Sequence, residues 1–183
     1  MGDWVSLART GRRVALAAAS LWLAAASALA QITVGSPSDP IAIAVGAGAF
    51  DITPSSSNHT GGTAAQLRAE YRVGSSLVWP ISPFVGVSGT SDGGFYGYGG
   101  FGIDINVTPQ FVVTPNVAAG YFSRGNGTNL GSWMEFRSGA EFAWRLPDQS
   151  RIGVAVHHTS NAGLTKRNPG AQTIALIYSI PLR

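Results

Sequence analysis

The chain has 183 residues, of which 45% are hydrophobic, 24 are glycines and none is cysteine. The absence of cysteine excludes disulfide bonds and thiolate metal sites. Twelve Lys and Arg against nine Asp and Glu give a formal charge of +3, but they form no basic cluster that could neutralise phosphates, so no nucleic-acid partner is predicted.

The first thirty residues have the pattern of a signal peptide. Three arginines precede an apolar run that starts at Val14 and ends in Ala28-Leu29-Ala30. A retained transmembrane helix is the alternative interpretation. Without this segment nine Lys and Arg remain against eight Asp and Glu, so the mature chain is nearly neutral. Residues 31–183 suit a single domain.

The mature chain has no apolar stretch near the roughly 20 residues that a membrane-spanning helix needs. Short alternating segments rich in glycine and aromatic residues predict eight β-strands instead. Most of these have the roughly 9–11 residues of a tilted membrane strand. In chain order the predicted strands are Ile41–Phe50, Thr63–Val73, Ile81–Ser91, Phe95–Ile105, Phe111–Phe122, Ser132–Arg145, Gln149–Ser160 and Ala171–Leu182.

Two of the predicted strands show the alternation most clearly. Apolar residues occupy every second position from Ala65 to Val73 and most such positions from Met134 to Trp144, while charged residues of both signs fall between them. In a secreted sandwich or a lipocalin-like barrel the charged face would meet solvent. In a small membrane barrel it would line the interior, where opposite charges pair while the apolar face meets lipid.

The loops and the strand count favour the membrane barrel. The long connections Asp51–Gly62, Ser123–Gly131 and Asn161–Gly170 fall at one end of such a barrel, and the short Leu146-Pro147-Asp148 turn falls at the other. The connection around Asp92-Gly93-Gly94 is short and departs from this asymmetry. Aromatic residues near strand ends fit interfacial girdles. We predict an all-β fold, an eight-stranded antiparallel transmembrane β-barrel over residues 31–183.

The seventh predicted strand carries a base and a hydroxyl on its apolar face. Its apolar residues at positions 152, 154 and 156 share one side, and His158 and Ser160 continue that side, because side chains repeat every second residue. The same parity in the last strand places Gln172 on its apolar face. These strands are antiparallel neighbours, so the three side chains could meet on the outer wall near one rim.

The residues around this set resemble the PagL-type lipid A 3-O-deacylase family, small outer-membrane barrels whose catalytic groups face the membrane. The resemblance is specific over the last third of the chain and diffuse elsewhere. Length and strand count agree along the whole mature chain. The motifs that carry it are Gly48-Ala49-Phe50-Asp51, His158-Thr159-Ser160-Asn161-Ala162-Gly163, Asn168-Pro169-Gly170 and Ile180-Pro181-Leu182.

The resemblance implies a serine esterase. Ser160 would attack an ester carbonyl, and His158 would take its proton and return it to the leaving alcohol. The Gly163 backbone N–H and the Asn168 side-chain amide would be the oxyanion donors. The implied substrate is lipid A of lipopolysaccharide, from which the ester-linked 3-hydroxyacyl chain at the 3-position is released. The resemblance implies no cofactor or metal. Outer-membrane lipids would surround the barrel, and the sequence leaves open whether two barrels form a homodimer.

Position 172 departs from the family pattern, which has a glutamate there. A carboxylate both holds the imidazole tautomer and stabilises the imidazolium, whereas the amide oxygen of Gln172 can do only the first. We therefore expect a functional but slower esterase, with a catalytically weakened or inactive relative as the alternative. On parity, the carboxylates that could substitute point into the barrel: Glu70, Asp104, Glu135 and Glu141.

Other function classes remain open. A His or Ser at a strand end is commonly a rim residue, and Asn168-Pro169-Gly170 is also a turn signal. A structural outer-membrane barrel would have the same strand pattern without a catalytic set. A ligand-carrying barrel would need an apolar interior, and the charged positions argue against both that and an open pore. The inward parity of His157 makes it a member of the interior polar network.

Overall fold

The computed structural model describes residues 32–36, 39–53, 61–74 and 79–182. The predicted signal peptide, residues 1–30, lies outside the described residues and stays a prediction. Across the described ranges, no helix has the length and apolar character needed to cross a membrane. The strands in these ranges are β1 Thr33–Val34, β2 Ala42–Phe50, β3 Ala64–Arg72, β4 Ile81–Thr90, β5 Phe95–Ile103, β6 Ile105–Asn106, β7 Phe111–Ser123, β8 Met134–Arg145, β9 Arg151–Ser160 and β10 Ala171–Pro181.

Eight long strands, β2 to β5 and β7 to β10, close into an antiparallel barrel. Each pairs with the next long strand along the chain, and the ring closes where β10 pairs with β2 from Thr173–Phe50 to Pro181–Ala42. This confirms the predicted fold class. The long strands begin and end within two residues of the predicted bounds, because turn residues interrupt the two-residue alternation at the ends of the strands.

The two-residue strands β1 and β6 were not predicted; they pair with each other. The predicted strand Phe95–Ile105 is divided at Asp104, which lies between β5 and β6. The Asp104 carbonyl accepts the Gly35 N–H at 2.7 Å, and its carboxylate accepts from Thr114 Oγ1 and Arg151 Nη1, each at 2.6 Å. These bonds engage Asp104 outside the regular ladder, so the strand is interrupted there.

The barrel is apolar outside, and its interior combines buried charged side chains with a cluster of aromatic ones such as Phe84 and Phe122. Leu67 and Leu176 on the outer wall are 70% and 68% exposed, whereas Arg137 and Glu141 are buried inside. A continuous apolar outer wall is stable only where lipid replaces water, so this is a membrane-spanning barrel. Exposed tryptophans next to strand ends occupy positions suited to the membrane interface. They are Trp79, Trp133 and Trp144.

Glu70 lies at the centre of a charge network inside the barrel. Its carboxylate accepts hydrogen bonds from Arg72 Nη2 at 2.7 Å, Arg137 Nη2 at 3.1 Å and the Tyr98 hydroxyl at 2.9 Å. Arg72 also donates to both oxygens of Glu141, at 3.1 and 2.7 Å. Side chains therefore fill this part of the interior, as expected for a barrel of eight strands, and the wall behind the outer face is rigidly braced.

His157 belongs to the same interior, as predicted. Its Nδ1 lies 3.1 Å from Arg68 Nη1 and its Nε2 lies 3.2 Å from Asn116 Oδ1. Gly139 pairs with it across β8 and β9, and a Cβ at Gly139 would lie 2.1 Å from the Val156 carbonyl oxygen. Glycine is thus required for the close approach of β8 to β9, next to the pair that carries His158.

Candidate active site

His158 and Ser160 lie on the outer wall at the end of β9, as their parity predicted. His158 is exposed and Ser160 is half-buried. Ser160 pairs with Phe136 of β8, and His158 pairs with Ser138. Because residues two apart on a strand are about 7 Å apart, the base and the hydroxyl occupy adjacent rows of the same lipid-facing surface.

Gln172 of β10 lies directly opposite His158. Its Nε2 is 3.4 Å from His158 Nδ1, and its Oε1 accepts a hydrogen bond from the Thr53 hydroxyl. Its backbone carbonyl accepts the Ile52 N–H at 3.1 Å. The structure therefore brings the predicted orienting residue to the imidazole, and Thr53 holds the other end of its amide.

Ser160 and His158, both described residues, are not joined by a hydrogen bond in this structure. The His158 ring is held instead on its Gln172 side. A nucleophile and base commonly reach hydrogen-bonding distance only when substrate is bound. If Ser160 and His158 form a nucleophile–base pair, the imidazole would have to approach the Ser160 hydroxyl.

Gly170 packs against the His158 imidazole next to its Cε1. Its φ is +69°, and a Cβ there would lie 2.5 Å from His158 Cε1 and 3.2 Å from Nε2. A side chain at this position would be strained by the backbone and would displace the ring. The turn sequence Asn168-Pro169-Gly170 therefore ends in a residue that leaves room for the base.

Asn161 organises the loop that follows Ser160. Its side chain is fully buried, and its Nδ2 contacts the carbonyl oxygens of Leu130 and Arg167 at 2.9 and 2.7 Å and Thr165 Oγ1 at 2.9 Å. These contacts tie the 161–170 loop to the 124–133 loop. Ser160 is thus followed at once by a rigid anchor.

The two predicted oxyanion donors differ in their availability. The Asn168 Oδ1 accepts the Asn161 N–H at 3.1 Å, so the Asn168 Nδ2 is turned away from that bond and is free of partners among the described residues. The Gly163 N–H already donates to Asn161 Oδ1 at 3.0 Å. Asn168 is therefore the readier donor, and Gly163 must exchange a partner before it can bind an oxyanion.

The Gly48-Ala49-Phe50-Asp51 segment leads the first loop to the site. Asp51 is fully buried with a φ of 57°, and its Oδ2 accepts from the Thr128 hydroxyl at 2.6 Å. Its carbonyl accepts from Thr63 Oγ1 at 2.9 Å. The chain leaves β2 in a fixed direction, which carries Ile52 and Thr53 to Gln172.

An apolar groove of about 700 Å³ on the outer wall reaches Ser160. Its floor is the register row Gly99–Ala119–Phe136–Ser160, which crosses β5, β7, β8 and β9. Phe101 and Val117 line it in the next row. Gly99 and Ala119 are the small residues of this floor, and a hydrocarbon chain lying in the groove would contact Ser160.

Similarity to known proteins covers most of the barrel. The profile of the family described as lipid A 3-O-deacylase (PagL) matches residues 67–181, which include β9, β10 and the loop between them. The chain belongs to this family. A relative from Pseudomonas aeruginosa, the lipid A deacylase PagL, is 31% identical over 77 residues. That match covers 42% of this chain and 44% of the relative, so it spans under half of either protein.

Solved structures are similar in fold. The crystal structure of the outer membrane enzyme PagL has a TM-score of 0.57 at 18% identity and covers 77% of this chain and 99% of that one. A de novo designed transmembrane β-barrel has a TM-score of 0.51 at 13% identity, with 81% and 99% covered. At these identities the likeness supports the barrel fold alone, and membership of the PagL family rests on the profile match.

Four carboxylates could in principle take the place of a triad acid beside His158, but all four point into the barrel, as the alternation of side chains predicted. Each is buried in the barrel wall or interior, on the opposite side of the sheet from His158. Among the described residues no carboxylate forms an ion pair with this imidazole, so Gln172 is its polar neighbour on β10. The four buried carboxylates are Glu70, Asp104, Glu135 and Glu141.

Three residues of the site were not predicted. Thr53 follows β2 and has no partner identifiable from sequence spacing, since it meets Gln172 across 119 positions. Ser138 is an exposed hydroxyl on the outer wall opposite His158; its interruption of the apolar set of β8 was the available signal. Asn161 was noted only as part of a motif, and its role as an anchor depends on loop contacts.

Proposed function

We propose that this member of the PagL family is a lipid A 3-O-deacylase of the outer membrane, a serine esterase with Ser160 as nucleophile and His158 as base. The observation that carries the proposal is that His158, Gln172 and Ser160 lie on one lipid-facing wall beside an apolar groove. An enzyme that acts on a membrane lipid needs its reactive groups on the surface that the lipid reaches.

In the proposed reaction Ser160 Oγ attacks the ester carbonyl carbon and its proton passes to His158 Nε2. The tetrahedral oxyanion is bound by Asn168 Nδ2 and by the Gly163 N–H. Gly163 exchanges its bond to Asn161 for one to the oxyanion, which is favourable because a hydrogen bond to a charged acceptor is about twice as strong as a neutral one. Each such donor is typically worth about 3–4 kcal/mol.

Collapse of the intermediate breaks the bond to the sugar oxygen, and the His158 imidazolium returns its proton to that oxygen. The 3-hydroxyacyl chain stays on Ser160 as an ester. Water then attacks this ester with His158 again as base, which releases the 3-hydroxy fatty acid and restores the serine hydroxyl. The sequence of steps is balanced without a cofactor.

The groove orients the acyl chain more than it attracts it. A chain that leaves bilayer lipid for the groove exchanges one apolar environment for another, so little hydrophobic free energy is gained. Placing the ester carbonyl within about 3–3.5 Å of the attacking oxygen is the larger contribution. The phenyl ring of Phe136, adjacent to Ser160 in the register row, suits that positioning role.

A non-catalytic structural barrel is the second candidate. It is favoured by the Nε2 of Gln172 facing His158 Nδ1, because an amide donor there stabilises the tautomer whose Nε2 already carries a proton. That tautomer cannot accept the serine proton. The same residues would then be surface polar groups of a barrel that stabilises the envelope.

The test is hydrolysis of purified lipid A by the full mature chain folded in detergent micelles, with mass spectrometry of the released 3-hydroxy fatty acid. Ser160→Ala should abolish release. Ser123→Ala is the matched control, since it removes an exposed hydroxyl at the end of β7, outside the groove, and leaves the nucleophile in place. Equal release by the wild-type protein and Ser160→Ala would refute the esterase and favour the structural barrel.

A further inference from the structure

Polar side chains are rare on the lipid-facing wall of the barrel. In the eight long strands, all of which the structure describes, outward and inward positions alternate. Tyrosines apart, the outward positions of these strands are apolar or glycine except at Ser123, the last residue of β7, and at four neighbouring positions. The four are Ser138, His158, Ser160 and Gln172. Three of them form the proposed catalytic set, so Ser138 is the member that has no role in it.

Ser138 lies beside the base and diagonally opposite the nucleophile. It pairs with His158 of β9 on one side and with Val117 of β7 on the other. Side chains directly opposite each other have Cβ atoms about 4.5–5.5 Å apart, and diagonal neighbours are about 7–8 Å apart. Ser160 is the diagonal neighbour, because it pairs with Phe136, two residues before Ser138. Since Ser160 ends β9 at the 161–170 loop, Ser138 lies one row deeper in the membrane than Ser160.

The Ser138 hydroxyl has no protein partner. The side chain is exposed, and it forms no hydrogen bond with any described residue. On a lipid-facing wall few water molecules can take the place of such a partner, so an unpaired hydroxyl there is unfavourable. A ligand that brings a polar atom to Ser138 would remove this penalty.

The apolar groove leads an acyl chain past this hydroxyl. Ser138 and Val117 line the groove together with Ser160, so a chain whose ester carbonyl lies at Ser160 crosses β8 next to Ser138. The attacking oxygen approaches the carbonyl carbon to about 3–3.5 Å, and a hydrogen bond separates two hydroxyl oxygens by about 2.7–2.8 Å. A hydroxyl on the third carbon, two bonds from the carbonyl carbon, therefore fits the diagonal from Ser160 to Ser138.

We propose that Ser138 is a specificity-determining residue: its hydroxyl forms a hydrogen bond with the hydroxyl on the third carbon of the acyl chain that is released, and the site thereby prefers 3-hydroxyacyl esters to unsubstituted acyl esters. A serine hydroxyl can donate or accept in this bond. This inference rests on the proposed esterase function and assigns the recognition of one substrate feature to one side chain.

The kinetic experiment compares two esters of the same sugar hydroxyl, one with a 3-hydroxytetradecanoyl chain and one with a tetradecanoyl chain. The full mature chain in micelles is assayed as the wild-type protein, Ser138→Ala and Ser138→Thr. The matched control combines Ser138→Ala with Ala140→Ser, which keeps the composition of the wall and moves the hydroxyl two residues along β8, to the position that pairs with Val156.

The wild-type protein should hydrolyse the 3-hydroxyacyl ester with about tenfold higher kcat/KM, the effect of about one hydrogen bond. Ser138→Ala should remove this preference by a loss on the 3-hydroxyacyl ester alone. Ser138→Thr should keep it, and the combined variant should not restore it. An unchanged preference in Ser138→Ala would overturn the proposal. An equal loss on both esters would also overturn it, since Ser138 would then act on His158 or on the fold.

A binding experiment gives a result that does not depend on turnover. In the Ser160→Ala background, nuclear magnetic resonance spectra are recorded with 3-hydroxytetradecanamide and with tetradecanamide in the micelles. The hydroxylated amide should shift the signals of Ser138 more than the plain amide does, while the signals of Ala140 respond equally to both. Equal shifts at Ser138 would refute the contact, whether or not the protein hydrolyses esters. Failure of the esterase itself is recognised separately, by equal release from the wild-type protein and Ser160→Ala.

Discussion

Gln172→Glu should accelerate the proposed deacylation by about two orders of magnitude. The new carboxylate would lie where the amide now lies, 3.4 Å from His158 Nδ1, and would attract the imidazolium that forms during attack. For unit charges about 4 Å apart this attraction is about 4 kcal/mol at an effective dielectric constant of about 20. Partial desolvation of the new carboxylate offsets roughly 1.4 kcal/mol of this attraction. The net 2–3 kcal/mol corresponds to about 10²-fold in rate.

The assay is single-turnover release of the 3-hydroxy fatty acid from lipid A in mixed micelles, followed by mass spectrometry at several times. Gln110→Glu is the matched control, because it introduces the same charge beside the β6–β7 turn, away from His158. Adding Ser160→Ala to Gln172→Glu should remove the gain. A Gln172→Glu rate equal to or below that of the wild-type protein would refute the account of the amide as a weaker partner of the imidazole.

Three further predictions test the groove, the interior and the loop anchor. Ala119→Phe fills the floor of the groove within the register row of Ser160 and should lower release from lipid A about 10²-fold by misplacing the ester. A short soluble ester should be hydrolysed at the normal rate, and an equal loss on both substrates would contradict this role of the groove. Glu70→Gln should lower the free energy of unfolding, measured with denaturant in micelles, by about 3–5 kcal/mol, because the buried arginines paired with Glu70 lose their partner. A decrease of less than about 1 kcal/mol would refute this expectation. Asn161→Ala should make trypsin cleave faster after Lys166, and unchanged cleavage would show that Asn161 does not anchor the loop.

The strands and their faces were predictable because both depend on local pattern. A period of two determines which residues share a face, so the outward position of His158 and Ser160 and the inward position of His157 followed from counting along β9. The charged face was ambiguous for any single strand. Closure of the barrel resolves it, since only the lipid-facing arrangement leaves the exposed apolar residues without water.

The contacts between distant segments were not predictable from a single sequence. The register row that joins Gly99 to Ser160 depends on three separate strand pairings, and an error of two residues in any of them would move the groove off the serine. Thr53 lies in a loop whose path is set by the buried Asp51 and the Thr128 hydroxyl of another loop. Such tertiary contacts leave no periodic signal.

The surroundings of Gln172 explain why an uncharged amide is stable at this position. A carboxylate on a lipid-facing wall is costly, because its charge must be held where few water molecules can solvate it. Gln172 is half-buried there, and with Thr53 and His158 as partners both ends of its amide are satisfied without charge. In the proposed esterase, the resting site would thereby avoid the cost of a membrane-facing anion, and the cost would fall on the transition state, where the imidazolium would form without a counter-charge. A stable resting site and a slower reaction would then both follow from the amide at position 172.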